Sequence, residues 1–426
     1  MLSLYKSLLL ALVKEIRLSD CQRLIKHKSL YHSSILPRII PLMAAKTKAQ
    51  RENLSLFESD QQIDLPDEIE PEEIAPKEIL LSSSDPEARE LFDLAIQIKE
   101  LKPWRWMEEI DLIGIENPET GKIGFISVMG RLGEHEAIAL YLGAEGLYDF
   151  IDLHTDESAT AHRALEIRHL QAAFSERKYL EKEDRDLVKQ LGLKFSGGAW
   201  PMFRSYRPGY LPWFVTLNEA QFLIHALSQI IEVAKSVRDE AQPFHPTGRV
   251  EKDGYLIRVA RKEGSALIWE DQVWRIPRPT HELVVIPIDN ATLERLKLLP
   301  QTKLEMEADL ILVPARIGKS GQRPLALYLF MIADRDSGFI FGNELITAED
   351  SLTAMHSRLP NSLALMLVQA QIMPQRLLVR SKLLRTVLRS LTQALNIELR
   401  HADELPSIDE AARCMGEWMR TGKMPS

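Results

Sequence analysis

The sequence predicts an α+β protein: an antiparallel meander with packed helices, followed by a second, mixed-sheet α+β domain ending β-α-β-α. Three observations carry that reading. Strand-like runs in the first half are joined by Asn117–Lys122, a segment with hairpin-turn chemistry, and not by helical crossovers. The strongest apolar helical stripe, Leu217 to Val237, is closed by Pro243 and Pro246, which mark a domain boundary. Beyond that boundary the chain ends on alternating strand and helix patterns from Leu377 to Met419.

Length and composition fit this division. A chain of 426 residues is long enough for two domains with real cores. Its net charge of −8 argues against a whole-surface nucleic-acid binder and leaves room for a local basic patch. The two cysteines, Cys21 and Cys414, lie far apart, so a disulfide scaffold and a cysteine zinc site are excluded and a reducing cytoplasm is expected. No apolar run reaches membrane-spanning length.

Residues 1–42 read as a doubtful or non-native extension. The apolar run Leu8–Val13 makes a weak signal peptide, and an amphipathic surface helix is a second reading. The favoured reading is that the segment is not made, because Met43-Ala44-Ala45-Lys46 resembles an ordinary start. Residues 43–83 read as a disordered acidic lead, dense in Asp and Glu between Glu58 and Glu78 and interrupted by Pro66, Pro71 and Pro76. The first domain is expected over 84–242. Ser84-Asp85-Pro86 starts a helix whose apolar face carries Ala88, Leu91, Phe92 and Ala95. Strands follow at Ile110–Glu116, Ile123–Met129 and Ala137–Leu142, then helices at Gly143–Leu153 and Leu180–Leu191, the latter stopped by Gly192. The second domain is expected over 248–426. Its strands are Tyr255–Ala260, Ala266–Ile276, Glu282–Ile288, Leu304–Val313, Leu325–Ala333 and Phe339–Phe341, with a short helix at Asn290–Leu299. A helical region at Ser351–Met373 is expected to break at Pro360. Strands at Leu377–Val379 and Ile397–Leu399 alternate with helices at Ser381–Leu395 and Ser407–Met419.

Ser196 to Phe214, SGGAWPMFRSYRPGYLPWF, is unlike any other part of the chain. Its glycines and prolines make it a stiff loop around a short strand. Two readings compete. Arg204 and Arg207 offer planar forks to an anion, while Trp200, Tyr206, Tyr210 and Trp213 offer faces to a flat ligand. Alternatively the aromatic rings and prolines form a buried structural corner. The run WP-x-FRSY-x-PG-x-x-PWF resembles the signature of a two-domain bacterial family of unknown function, extending from about Asp85 to the carboxyl terminus. The resemblance implies a two-domain architecture and brings no catalytic residue and no cofactor.

Other constellations are less complete. Arg316–Gly321 contains Gly-Lys-Ser, yet a phosphate-cradling loop needs a glycine where Val313 stands and a helix where strand-like residues follow. His135-Glu136 lacks the second histidine of a zinc-protease helix, since Ala139 holds that position. His162, Glu166 and His169 share one face if the segment is helical, and then form a candidate metal set. Arg376, Arg380, Lys382, Arg385 and Arg389 form a candidate anion-binding stripe. With no nucleophile setting assigned, a binding module with a protein partner is expected; the alternatives are a metal-assisted hydrolase and a nucleic-acid or anion binder.

Overall fold

The computed structural model describes residues 78–133, 135–155, 161–240, 254–264, 266–280, 288–318, 321–348 and 351–421. The expected extension at 1–42, most of the acidic lead and nearly all of the strand expected at Glu282–Ile288 lie outside them.

The first sheet is built on the expected meander. Strands β1 (Ile113–Glu116), β2 (Ile123–Met129), β3 (Ala137–Leu142), β4 (His169–Ser175) and β5 (Trp200–Tyr206) pair antiparallel with their sequence neighbours. Asn117 builds the first turn: its side-chain oxygen accepts the Glu119 and Thr120 amides, and Gly121 takes φ +67°. Strand β4 is a departure from the sequence reading, which places His162–His169 on one helical face. The helix there is a single 3₁₀ stretch, Ala161–Glu166, and alternation then takes over. Leu170, Ala172 and Phe174 enter the core while His169, Gln171 and Ala173 take the other face.

A second departure concerns β6 (Gly254–Glu263) and β7 (Ala266–Arg275). The sequence reading opens the second domain with this hairpin, yet β6 pairs parallel to β1, so the hairpin completes a seven-stranded sheet of order β5-β4-β3-β2-β1-β6-β7. Gly114 makes room for it. A Cβ there would meet Ile257 Cδ1 at 2.1 Å and the Leu256 carbonyl oxygen at 2.9 Å.

Helices α1 (Pro86–Leu101) and α4 (Leu217–Glu240) cover one face of this sheet, and α2 (Gly143–Thr155) covers the other. The start of α4 is a capping box: Thr216 Oγ1 accepts the Glu219 amide and Glu219 Oε2 accepts the Thr216 amide. The short helix α3 (Lys182–Gln190) ends as expected at Gly192, which takes φ +70°.

The second sheet has the order β10-β9-β8-β11-β12. Strands β8 (Glu305–Ile317), β9 (Leu325–Asp334) and β10 (Ile340–Thr347) are antiparallel, whereas β11 (Arg376–Val379) and β12 (Glu398–His401) add parallel to β8. Pro314 falls where the β8–β9 register shifts, a position that needs no ladder donor. Helices α5 (Asn290–Lys297), α6 (Leu352–Ala370) and α7 (Lys382–Ala394) are capped by Asp289, Ser351 and Ser381, and α8 (Pro406–Thr421) packs on β8 and β9. The break expected at Pro360 does not occur. Met355, Leu359, Leu363 and Leu367 recur at helical spacing and are fully buried, which outweighs the one backbone bond that proline removes.

Candidate functional site

The Trp200–Phe214 segment folds as a clasp between the two sheets. Arg204 on β5 is buried and bidentate to Asp184 on α3, with Nη1–Oδ1 at 2.8 Å and Nη2–Oδ2 at 2.6 Å. Its Nη1 also donates to the Phe203 carbonyl, and its guanidinium lies 4.7 Å from the Phe214 ring centre. Arg204 is therefore engaged on both its fork and its face. Ser205 and Trp213 exchange two backbone bonds, closing the loop back on β5. Pro208-Gly209 turns the chain toward the second sheet, where Gly209 O accepts the Ala326 amide at 2.9 Å and the Leu211 amide donates to Pro324 O at 2.9 Å. Gly209 takes φ +83°, and a Cβ there would lie 2.7 Å from the Ala348 methyl. Tyr210 pairs with Leu325 through backbone, and Trp213 packs edge-on against Phe214.

A charged cluster closes the clasp. Arg207 binds Glu78 and, at 3.0 Å, Glu219. Arg323, which precedes β9, donates to Ser205 O at 2.9 Å and Ser205 Oγ at 3.2 Å, and lies 3.4 Å from Glu78. Ser205 Oγ donates to Glu219. Burial disfavours the charge on Arg207, yet Glu219 and Glu78 hold its pKa above the ordinary value. Burial, and then Arg207 itself, push Arg323 below its ordinary value. Glu78 belongs to the end of the lead, and that end is not free: Leu81 donates to Val215 O and Leu217 donates to Ile79 O.

Next to the clasp, Tyr206 stacks on His169 with ring centres 4.0 Å apart and planes 11° off parallel. Burial lowers the His169 pKa to about 4, although the backbone bond to Ile167 opposes it. Tyr206 also bonds Gln171 through its hydroxyl. The candidate metal face does not form, because the 3₁₀ helix stops at Glu166 and His169 opens β4. The His162 side chain lies outside the described residues. Glu166 instead accepts the Tyr328 hydroxyl at 3.0 Å, and burial raises its pKa against that bond and against Arg163. His356 on α6 is lowered to about 4 by burial and by Arg163. Among the described residues no three ligating side chains gather. The basic stripe is also largely spoken for: Arg376 pairs with Glu305 and Glu398, and Arg380 with Asp309 and Asp409. Arg385 and Arg389 have no ion pair among the described residues, and Lys382 stands exposed on the same helix.

The open chemistry lies at the C-terminal half of α3. Arg177, Arg185, Asp186, Val188, Lys189, Gly192, Leu193, Lys194 and Trp200 line a groove of about 490 Å³. Arg177 sits 6.0 Å from the Trp200 ring centre. Arg177, Lys189 and Lys194 are exposed and make no ion pair among the described residues. The sequence reading singled out Trp200 but missed these cations. The available signal was the charged helix ending at Gly192, eight positions before the tryptophan.

Residues 89–254 match the family described as Domain of unknown function (DUF7309), and residues 292–416 match Domain of unknown function (DUF6930). The chain carries two domains of unknown function, one after the other. The clasp motif and the groove both fall in the DUF7309 domain, and Arg323 falls in the DUF6930 domain. No curated protein and no solved structure matches the chain. Among the described residues no helix is long and apolar enough to cross a membrane.

Proposed function

We propose that the protein is a binding module that takes an acidic segment of a partner protein in the groove beside Trp200. One observation carries the reading: Arg177, Lys189 and Lys194, with no ion pair among the described residues, surround a half-buried tryptophan on a chain whose net charge is −8. Surface cations on an acidic protein usually find carboxylates, so unpaired ones that converge on a concave aromatic floor favour an external anion. Carboxylates would meet the lysines while an apolar or aromatic side chain covers Trp200.

The test is titration of the full chain with a glutamate-rich peptide containing one aromatic residue, followed by tryptophan fluorescence. Lys189→Glu with Lys194→Glu is expected to weaken binding at least about tenfold, about 1.4 kcal/mol, and to leave thermal stability unchanged because both lysines are exposed. Equal affinity of wild type and double variant, or no binding by either, refutes the reading.

A further inference from the structure

The clasp brings two arginines to one carboxylate, on residues other than those of the groove. Arg207 comes from the chain that leaves β5, Arg323 from the chain that enters β9, and both reach the same Glu78 carboxylate. Arg207 carries a second carboxylate, Glu219, whereas Arg323 pairs with no other among the described residues. The Arg323 side chain is only 5% exposed, and its Nε is buried with no hydrogen-bond partner among the described residues. A buried arginine that shares one carboxylate with another arginine and keeps an idle donor is under-supplied with acceptors. The Arg323 Nη atoms donate to Ser205 O and Ser205 Oγ, and Arg207 donates to Glu219 Oε1, so these acceptors hold the two guanidinium groups in place while Glu78 is the one carboxylate they share.

We propose that Arg207 and Arg323 form an oxyanion-binding site at the junction of the two domains, and that Glu78 is its tethered occupant. The residues that carry Glu78 attach as a short added strand, through the Leu80–Thr216 bridge and two backbone bonds. Ile79 beside Glu78 is 76% exposed while Leu81 packs against the first core, so the Glu78 end can lift with Leu81 still docked. With the strand in place the four charges balance, two arginines against Glu78 and Glu219. With it displaced, one buried positive charge is left over, and a phosphate or a carboxylate from another molecule restores the balance. The end of the lead thus competes with external oxyanions for the point that joins the domains.

The experiment compares wild type with full-length Glu78→Gln and Glu78→Ala, using inorganic phosphate as probe and chloride at matched ionic strength as control. Thermal unfolding of both variants is expected to fall by several degrees, and about 10 mM phosphate to recover at least half of that loss. Wild type shifts by no more than a degree in the same phosphate. Glu78→Gln/Arg323→Met, in which the arginine is gone as well, is expected to lose the phosphate response. Equal phosphate shifts in wild type and all variants mean ordinary salt stabilisation and overturn the proposal. Loss of stability in the Glu78 variants with no phosphate recovery overturns it too, since Glu78 is then only a structural partner.

Discussion

Replacing Arg204 tests whether the aromatic-arginine motif is architecture or recognition surface. Arg204 and Asp184 are 7% and 9% exposed at their side chains and share two bonds of 2.8 and 2.6 Å. Removing one partner of such a pair leaves the other charge buried and unmatched, a loss of about 3–5 kcal/mol. The Arg204→Met variant keeps the volume over Phe214, so the loss is electrostatic and not a cavity. In a domain of this size each kcal/mol moves Tm by about 2–4 °C, so a fall on the order of 10 °C is expected. Asp184→Asn combined with Arg204→Met removes both charges and is expected to recover at least half of the loss. The measurement is thermal unfolding of wild type, both single variants and the double variant, with acidic-peptide affinity measured well below each transition. If Arg204→Met unfolds within about 2 °C of wild type while peptide binding collapses, the arginine acts on a ligand and the clasp reading fails. If the double variant is as unstable as the sum of the singles, the pair is not the source of the effect.

Three further outcomes follow from the same geometry. Gly209→Ala forces a residue into φ +83° against the Ala348 methyl, and is expected to cost about 2 kcal/mol and to speed limited proteolysis between the domains. Gly114→Val is expected to expel the β6–β7 hairpin from the first sheet, read as faster amide exchange over residues 254–275, because its Cβ would overlap Ile257. The buried His169 and His356 hold pKa values of about 4 against an ordinary 6.5, so the unfolded chain binds more protons between those limits. Stability is therefore expected to fall as pH drops from about 6.5 to 4, and His356→Gln to flatten that limb; a parallel pH profile for the variant contradicts the assignment.

Much of the fold is legible wherever the signal is local. Thr216, Asp289, Ser351 and Ser381 announce their helices because a cap is a short-range bond, and Asn117–Lys122 announces its hairpin for the same reason. Strand β4 is hidden because His169 and Gln171 on its second face are polar yet buried, which blurs the alternation. The parallel β1–β6 pair joins residues more than 100 positions apart, and no local pattern encodes it beyond the bare glycine at 114. For the candidate site, arginine and tryptophan single out the segment that lies between the sheets but not how its side chains are engaged. Whether the Arg204 fork faces solvent or Asp184 depends on how α3 docks on β5, which residue types alone do not specify.

The placement of α3 connects the groove to the rest of the molecule. Its N-terminal Glu181 binds Arg316 at the end of β8, at 2.7 Å, and its Asp184 binds Arg204 on β5. The next residues, Arg185, Asp186 and Lys189, line the groove, whose floor, Trp200, begins β5. One nine-residue helix thus carries a contact to the second domain, a contact to the clasp and half of the groove. A helix of this length has little stability of its own, so it is held in register by these two ion pairs together with Val188, which is buried in the first core, and Leu187, which packs against it. A groove held this way is preformed, so the binding we propose would lose less conformational entropy than ordering a free helix requires. The same anchoring makes the groove sensitive to the domain junction: loosening Arg316 or Arg204 frees the helix that presents the cations. Under the proposed function the aromatic-arginine motif serves recognition indirectly, by fixing the surface that carries it.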